Sequence, residues 1–248
     1  MSTTALFTEG RTFLAEQGLN LLAVLDCAVL PPEVRAPLLA SGVPLADFSR
    51  LLLLGHGGRR LWEAAQTAVS STIPDPIDTF SWEKTAVFLR DYLGNPPHFR
   101  LYPGTDYPVP LGRLGELAGW SQPSPLGIGI SPAYGLWFAY RTAVLLDAPL
   151  PVTTAEYGQQ PCESCEAKPC VRGCPVTAVY PTAPLNFPVC AHHRLAPASP
   201  CADQCLARLA CPIAPQHRYS REQISYHYRH SLPSLRRYFP DAGKWDAD

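Results

Sequence analysis

The first half of the chain alternates short apolar runs with segments of helical periodicity. The apolar runs are bounded by proline, glycine and polar residues, as buried strands are. A longer aromatic and β-branched segment near the middle of the chain favours a strand over a helix. Strands are predicted at 21–26, 50–54, 98–102 and 133–146, and helices at 33–39, 75–93, 221–230 and around Trp62. Strands that alternate with helices predict an α/β or α+β domain built around one sheet.

Composition and charge narrow the class of protein. Apolar residues make up 46% of the 248 residues and charged residues 17%, which excludes a disordered chain and a charge-rich coiled coil. Lysine plus arginine (20) nearly equals aspartate plus glutamate (21), so the chain lacks a basic field for nucleic acid and a tRNA partner is not expected. The sequence has no apolar run of the ~18 residues that a membrane span needs, and no recognisable signal peptide. A cytoplasmic protein without membrane contact is therefore predicted.

Eight of the nine cysteines crowd into one segment of the chain. Only Cys27 precedes this segment, in an apolar run where it is predicted to be a small buried core residue. Without a secretory signal, disulfides do not explain the crowding, because cytoplasmic thiols are kept reduced. Thiolates repel one another unless a cation or a cationic cluster core lies between them, so the segment predicts a metal site.

The spacing of the cysteines narrows the kind of metal. The two runs are Cys162-x2-Cys165-x4-Cys170-x3-Cys174-Pro175 and Cys190-x10-Cys201-x3-Cys205-x5-Cys211-Pro212. The Cys-x3-Cys-Pro ending resembles the two-cluster bacterial ferredoxin pattern, in which the Cys-Pro thiolate ligates the other [4Fe–4S] cluster. Carried over, this pattern predicts two ligand sets that exchange their Cys-Pro members. Set A is Cys162, Cys165, Cys170 and Cys211, and set B is Cys174, Cys190, Cys201 and Cys205.

Both runs depart from the ferredoxin spacing, which leaves alternatives open. The ferredoxin run has two residues between its second and third cysteines, whereas four stand between Cys165 and Cys170. The second run is looser still. Two zinc sites with four cysteine ligands each tolerate looser spacing and are the main alternative. Disulfides or free thiols are a third.

Two further motifs carry predictions. Gly55-His56-Gly57-Gly58 lies between a predicted strand and a predicted helix and is interpreted as a tight turn. The alternative is a backbone cradle for a phosphate or a cofactor, with His56 and Gly57 facing the ligand. Ser220 and Gln223 form a capping-box pattern that predicts a helix start at 221. The basic end of that helix predicts a solvated face, with a docking surface for an anionic redox partner or cofactor as the alternative.

Several segments together resemble the order of motifs in epoxyqueuosine reductases. They are Asp106-Tyr-Pro-Val-Pro-Leu-Gly-Arg113, Gly115-Glu-Leu-Ala-Gly-Trp120 and Ser131-Pro-Ala-Tyr-Gly-Leu-Trp137, followed by the cysteine runs. That family is grouped with reductive dehalogenases and cobalamin-processing proteins. The resemblance implies an α/β (α+β) fold, in which a nitroreductase-like mixed sheet with flanking helices precedes a small two-[4Fe–4S] ferredoxin-like module. The implied domains are a cofactor-binding domain at 1–155, the iron–sulfur module at 156–218, and a C-terminal helix and tail at 219–248.

The resemblance also implies site residues. Asp106 matches an aspartate that is proposed to deliver a proton to substrate in that family, and is the implied catalytic residue. Arg113 matches an arginine of the same motif and, with Tyr134, is an implied cofactor contact. Gly112 stands where the family has a glutamate, and the sequence ends at Asp248 without the helical-repeat extension associated with tRNA. A shorter relative, different from an epoxyqueuosine reductase proper, is therefore expected.

The implied function is reductive. An iron–sulfur oxidoreductase would relay single electrons through two [4Fe–4S] clusters to a corrinoid, or alternatively a flavin, bound by the N-terminal domain. The implied partners are a low-potential donor such as ferredoxin or flavodoxin, and a small-molecule substrate or the cobalamin itself. The alternative is a ferredoxin-like electron carrier whose N-terminal domain docks a partner and has no catalysis of its own.

Overall fold

The computed structural model describes residues 3–68 and 75–241 and divides into two compact units. The first unit contains residues 1–121 and 138–158, and the second contains 122–137 and 159–248. The segment 122–137, which the resemblance places in the N-terminal domain, therefore groups with the cysteine-rich part of the chain. None of the helices in the described ranges is both long enough and apolar enough to cross a membrane.

The first unit contains one sheet of four strands. The strands are β1 (Leu21–Asp26), β2 (Arg50–Gly57), β3 (His98–Tyr102) and β4 (Phe138–Leu146). Their order is β1-β2-β4-β3 and all three pairings are antiparallel. The mixed sheet that the resemblance implied is therefore wrong for these four strands. The reason lies in the connections. The connection from β1 to β2 starts and finishes at the same end of the strands, and so does the connection from β3 to β4. A parallel pair would instead need a crossover to the opposite end.

The described part of the first unit also contains five α-helices, which include the helices predicted for this part of the sequence. They are α1 (Thr3–Glu16), α2 (Pro32–Ala40), α3 (Arg60–Ala68), α4 (Pro76–Val87) and α5 (Leu111–Leu117). α4 continues into a π-helical turn at Phe88–Tyr92, which completes the helix predicted at 75–93. α1 was not predicted, although Phe7, Gly10 and Leu14 give it one buried face, on which Gly10 lies against the ring of Phe88.

The run of leucines in β2 forms the centre of the first unit. Leu51, Leu52, Leu53 and Leu54 are all completely buried. Successive side chains of a strand point to opposite faces, so four buried residues in a row require cover on both faces of the sheet. On one face, Leu51 and Leu53 belong to a core that includes Val34 of α2. An uninterrupted apolar run, without alternation, is the pattern expected for such a strand.

The strand predicted at 133–146 begins later than expected. β4 starts at Phe138, and the residues before it form a turn in which Ser131 and Gly135 exchange backbone hydrogen bonds of 2.8 Å. Gly135 has a φ of +59°. This left-handed conformation suits glycine and ends the extended backbone that the aromatic content of the segment had suggested.

The second unit contains short helices and no strand among its described residues. The helices are α6 (Pro169–Arg172), α7 (Phe187–Leu195), α8 (Leu206–Leu209), α9 (Arg221–His230) and α10 (Leu232–Tyr238). Its core holds few large side chains. One cluster joins Leu126, Ile130 and Leu136 to the apolar side of several cysteines. So small a core is stabilised only weakly by burial, as in small domains that depend on metals or disulfides.

The predicted N-cap of α9 is confirmed and gives a testable contribution to stability. The Ser220 side chain accepts a hydrogen bond of 3.1 Å from the backbone N–H of Gln223. Ser220→Ala removes this acceptor and should lower the free energy of unfolding by about 1 kcal/mol. Ser220→Asp, which keeps an acceptor, should retain most of it. Urea unfolding of the three proteins, followed by circular dichroism, measures the difference. Equal stability of the alanine and serine proteins would contradict the assignment.

Cys27 is buried, as predicted. Burial raises the pKa of its thiol to about 12, and the charge of Asp26 adds to this effect. The thiolate is the form that reacts with alkylating reagents. Iodoacetamide at pH 8 should therefore leave the Cys27 peptide unmodified in the native protein and modify it in urea, as read by mass spectrometry of tryptic peptides. Labelling of the native protein at the rate seen in urea would contradict the burial.

Candidate metal centre

The eight crowded cysteines all belong to the second unit, where short helices and turns separate them. Cys170 lies in α6 and Cys190 in α7, while Cys205 caps α8 and its sulfur accepts from a backbone N–H. The other five lie in the intervening turns. Every cysteine of the chain is a free thiol. Short elements broken by turns allow sulfur atoms from distant parts of the sequence to approach one another.

The four thiols of set A line one cavity. This cavity has a volume of about 20 Å³, and its wall also includes the apolar side chains of Ile130 and Ile213. Lys168 belongs to the same wall, and its Nζ donates to the carbonyl oxygens of Cys162 (3.4 Å) and Cys165 (3.5 Å). The Lys168 ammonium is therefore held against the backbone of the loop that carries two of the thiols.

The four thiols of set B line a second and larger cavity, of about 160 Å³. Its wall is largely apolar, with Val179 and Leu206 among its residues, and it includes the guanidinium-bearing side chains Arg194 and Arg208. The two cavities thus divide the eight thiols into the sets defined from the sequence, with Cys174 and Cys211 each grouped with the other run. Metal binding by these sets stays a prediction.

Burial and mutual repulsion raise the pKa of five of these thiols, Cys162, Cys170, Cys190, Cys201 and Cys211. Burial raises the pKa of the Cys162 thiol to about 11, and the other thiolates of set A raise it further. Burial also raises the pKa of Cys190 to about 11, with the thiolates of set B adding to it and Arg194 opposing it. Four crowded thiolates become favourable only when positive charge compensates them, which is what metal ligation supplies.

Backbone N–H groups already point at several of the sulfurs. The amide of Ala178 donates to Cys174 Sγ at 3.3 Å, and the amide of Arg208 donates to Cys205 Sγ at 3.4 Å. In set A, the N–H of Ile213 donates to Cys211 and lowers the pKa of that thiol, against the larger opposite effect of burial. Hydrogen bonds of this kind favour the thiolate, which is the form that binds metal.

A single metal ion and an iron–sulfur cluster place different demands on the four thiols of a set. Within residues 3–68 and 75–241, no three His, Cys, Asp or Glu side chains lie close enough to hold one metal ion. The thiols of each set instead surround a space. A zinc ion needs four ligands at about 2.0–2.3 Å from one centre, whereas the thiolates of a [4Fe–4S] cluster bind separate irons around a larger core. Four thiols line each cavity, and the choice between a single ion and a cluster stays a prediction.

Two arginines beside set B were missed by the sequence analysis. Arg194 follows Cys190 by four residues in α7, and Arg208 of α8 follows the N-cap residue Cys205 by three. Residues three or four apart in a helix lie on the same side of it. This spacing was the signal available in the sequence, and it places both side chains next to set B thiols.

Aromatic rings and backbone carbonyls hold these arginines in place. The Arg208 guanidinium lies 4.7 Å from the ring centroid of Trp137 and 5.3 Å from that of Tyr219, and it donates to the carbonyl of Leu136. Arg194 lies 4.7 Å from the ring of Tyr228 and donates to the Tyr228 carbonyl at 3.0 Å. Both charges are therefore fixed by packing as well as by hydrogen bonds.

The glycine-rich motif in the first unit is a strand and not the tight turn predicted. β2 continues through Gly57, and its pairing with β4 includes Gly55, His56 and Gly57. The Gly57 N–H donates to Asn20 Oδ1 at 2.8 Å, and its carbonyl accepts from Asn20 Nδ2 at 3.2 Å. The backbone of Gly57 is thus already paired, because strand pairing continues three residues further than the apolar run suggests.

His56 is buried within the first unit. It is 1% exposed, and its Nδ1 accepts a hydrogen bond of 3.0 Å from Nε of Arg141, which is itself 8% exposed. Arg141 also lies 3.5 Å from a carboxylate oxygen of Asp78. An Nδ1 that accepts a bond belongs to a neutral imidazole with its proton on Nε2. His56 therefore takes part in an internal polar network.

The three remaining candidates are not among the described residues that line the two cysteine cavities. Arg113 is exposed on α5 and donates to Glu33 (3.0 Å) and Glu116 (2.8 Å). Asp106 is exposed in the segment between β3 and α5. Tyr134 belongs to the second unit, where its ring centroid lies 4.7 Å from that of His217. Cofactor contact by Arg113 and Tyr134 and catalysis by Asp106 stay predictions.

Comparison with solved structures shows which known fold this chain shares. No protein-family model matches the sequence, and no curated protein matches it. Three solved structures illustrate the structural similarity. An epoxyqueuosine reductase bound to an epoxyqueuosine-modified tRNA stem loop matches with a TM-score of 0.58 and 12% identity over 90% of this chain and 69% of that chain. The catabolic reductive dehalogenase NpRdhA, in complex with 3-bromo-4-hydroxybenzoic acid, matches with 0.55 and 9% over 98% and 41%.

The third structure is the B12-trafficking protein CblC of C. elegans. It matches with a TM-score of 0.50 and 13% identity over 93% of this chain and 96% of that chain. The TM-scores show a common fold, whereas sequence identities this low say nothing about a common activity. They confirm, at the level of the fold, the resemblance inferred from the motifs. The chain has the fold shared by epoxyqueuosine reductases, reductive dehalogenases and CblC.

Proposed function

We propose that this protein is an iron–sulfur oxidoreductase whose sets A and B each hold a [4Fe–4S] cluster. In this proposal the clusters relay single electrons to an organic redox cofactor, a corrinoid or a flavin, bound by the N-terminal unit. The observation that carries the proposal is the division of eight thiols into two groups of four around two cavities. Each group mixes cysteines of both runs, as in the two-cluster ferredoxin pattern.

The residues around the thiols have definable tasks in this proposal. A [4Fe–4S] cluster supplies one-electron transfer at a potential that its surroundings set. The apolar side chains Ile130 and Ile213 at set A, and Val179 and Leu206 at set B, limit access of water to the sulfurs. The amides that donate to sulfur stabilise the electron-rich thiolates. The protein thus contributes exclusion of water and fixed dipoles.

An organic cofactor is proposed because the fold of the chain resembles that of a B12-trafficking protein and of two enzyme classes, and the N-terminal unit is proposed to hold it because the eight crowded cysteines belong to the other unit. The residues assigned from the sequence do not fit this group well. The backbone of Gly57 pairs with Asn20, His56 is buried against Arg141, and Arg113 pairs with two glutamates. No contact or chemical step is therefore assigned to a particular residue. Proton delivery by Asp106 is a prediction from the motif resemblance alone.

The proposed partners follow from the chemistry. Reduction of low-potential clusters requires a donor protein such as ferredoxin or flavodoxin, and the electron acceptor is a small molecule or the corrinoid itself. A tRNA substrate is not part of the proposal, since the chain carries a formal charge of −1. The cytoplasm is the proposed compartment, because reduced thiols persist there.

Spectroscopy of anaerobically purified protein tests the proposal. The protein should be brown, and reduction by dithionite should bleach its broad visible absorbance and produce electron paramagnetic resonance signals of reduced clusters. Addition of cobalamin, and separately of a flavin, should then shift the spectrum of one added cofactor, and the reduced clusters should reduce it. Clusters that reduce neither cofactor would instead support the ferredoxin-like carrier. A colourless protein that contains zinc would contradict the iron–sulfur proposal.

A further inference from the structure

Apolar side chains are exposed beside the cavity of set B. Ile128 is 43% exposed, and Phe187, the first residue of α7, is 46% exposed. Both residues also line the set B cavity. In the described ranges, none of the exposed large apolar side chains lines the cavity of set A. Exposed apolar side chains that continue into the wall of a cavity indicate a surface that a partner covers.

The end of α10 extends this surface. The ring centroid of Phe187 lies 5.6 Å from that of Phe239, the residue that follows α10. Tyr238, the last residue of α10, is 75% exposed, and the two arginines directly before it are exposed as well. The start of α7 and the end of α10 therefore form one surface. We call it the α7–α10 face and define it by Ile128, Phe187, Arg236, Arg237 and Tyr238.

The arginines of this face are unpaired. Neither Arg236 nor Arg237 forms an ion pair with a residue in the described ranges. In α9, by contrast, two arginines bind Asp203 at 3.1 and 3.4 Å. Positive charge also prevails in the surrounding sequence, because residues 187–248 include eight Lys or Arg and five Asp or Glu. The face therefore combines exposed apolar side chains with uncompensated positive charge.

This combination favours a negatively charged protein over other anionic partners. Aromatic residues and arginine are enriched where proteins bind each other, and the face offers Phe187 and Tyr238 beside two arginines. Nucleic acid is held by many phosphate contacts, and an anionic membrane attracts clusters of about four to eight cations. Two unpaired arginines are too few for either. They suffice to steer an acidic protein, because unlike charges raise the rate of encounter.

We propose that an acidic electron-donor protein of the ferredoxin or flavodoxin class docks on the α7–α10 face and passes its electron to the group bound by set B. The inference rests on the proposed function and names the place where electrons enter. Because Ile128 and Phe187 belong both to the face and to the wall of the set B cavity, a partner seated on them lies next to that site. In each transfer the donor loses one electron, the set B group gains it, and no bond forms or breaks.

Rapid mixing with two redox partners tests the inference. Iron is first measured in the purified protein. Electron exchange with an acidic [2Fe–2S] ferredoxin is then followed in the direction in which it runs downhill, and methyl viologen, a small molecule that needs no docking face, is the reference. The rate constant for ferredoxin should fall as salt is raised, because salt screens the attraction between opposite charges. The rate constant for methyl viologen should not fall.

Variants of the face locate the docking site. Arg236→Glu combined with Arg237→Glu should lower the ferredoxin rate constant at low salt by at least about tenfold and change that of methyl viologen by less than about twofold. Tyr238→Ser should lower the ferredoxin rate constant at high salt as well, since it removes apolar contact area. Arg11→Glu reverses an exposed charge on α1 and is the control, with a native rate constant expected.

A neutral double variant covers the case in which the acidic one disturbs α10. Glutamate at the carboxyl end of a helix is unfavourable. If the double Glu variant loses helix for this reason, Arg236→Gln combined with Arg237→Gln decides. It removes both charges without adding new ones and should lower the ferredoxin rate constant by about threefold or more.

Ligand variants locate the receiving site. Cys190→Ser removes a ligand of set B, and Cys162→Ser removes one of set A. The cluster that remains in Cys190→Ser should exchange electrons with ferredoxin at least about tenfold more slowly than the cluster that remains in Cys162→Ser, because proximity to the docked donor sets the rate. Methyl viologen should react with the remaining cluster of both variants.

The outcomes separate this inference from the proposed function. A protein without iron overturns both. With about eight irons per chain, docking on the face alone is overturned if ferredoxin does not exchange electrons, if its rate constant is insensitive to salt, or if the arginine variants keep the native value. Equal rates in the two cysteine variants overturn entry at set B. A native dimer that the arginine variants dissociate, seen by analytical ultracentrifugation, makes a second copy of the chain the occupant and overturns the donor.

Discussion

Replacing Cys162 or Cys211 by serine should remove the same half of the iron. Each variant is expected to contain about four irons per chain in place of about eight, because both thiols line the cavity of set A although they stand in different runs. The double variant Cys162→Ser with Cys211→Ser should lose no more than either single variant, since removal of one ligand already empties the site. Iron and sulfide analysis after anaerobic purification measures the loss.

A second double variant tests the exchange of ligands between the runs. Cys162→Ser with Cys174→Ser should remove nearly all the iron, because these two residues belong to the same run but line different cavities. Cys27→Ser is the control, and it should retain about eight irons because Cys27 is buried in the core of the first unit. The two double variants should therefore differ in iron content. If Cys162→Ser with Cys174→Ser lost no more iron than Cys162→Ser with Cys211→Ser, the assignment of the thiols to two sets would be wrong.

Gly135→Ala should destabilise the second unit and release iron from set A before set B. A Cβ at this position would lie 2.4 Å from the carbonyl oxygen of Ile213, so the segment that follows Cys211 would have to move. The left-handed φ of +59° costs a residue with a Cβ about 1–2 kcal/mol, and the overlap adds roughly 1–3 kcal/mol. Urea unfolding and the iron content of the folded fraction measure the two effects.

Gly42→Ala is a matched control for this variant. Gly42 also has a positive φ, of +77°, but a Cβ there would meet nothing within 4 Å. Its substitution should therefore cost only the ~1–2 kcal/mol of backbone strain and should leave the iron content unchanged. Equal losses of stability and of iron in the two alanine variants would show that the contact between Gly135 and Ile213 has no special role.

The sheet and its central strand could be predicted from the sequence to a large extent. The leucines of β2 form an uninterrupted apolar run, which is the pattern of a strand buried on both faces. The direction of neighbouring strands could not be predicted in the same way, because an apolar run is equally compatible with parallel and antiparallel pairing. The end of β2 was missed because glycines such as Gly55 and Gly57 usually signal a turn or the end of a strand. Only their pairing with β4 shows that they continue the strand.

In the candidate metal centre, too, one part could be predicted from the sequence and another could not. The resemblance to the ferredoxin pattern, which specifies the ligand that crosses between clusters, predicted two sets of four, and the same thiols line the two cavities. The surroundings of the sulfurs depend on tertiary packing that spacing does not encode. Arg208 reaches the carbonyl of Leu136 and the ring of Trp137, which come from a distant part of the sequence. His56 likewise could not be assigned, because its partner Arg141 lies on another strand.

Iron and acid-labile sulfide in protein purified without oxygen test the central claim most directly. We expect about eight irons and about eight sulfides per chain, because four thiols line each of two cavities and each set is proposed to hold a four-iron cluster. Protein that is folded and carries its full complement of free thiols, yet contains neither iron nor sulfide, would contradict it.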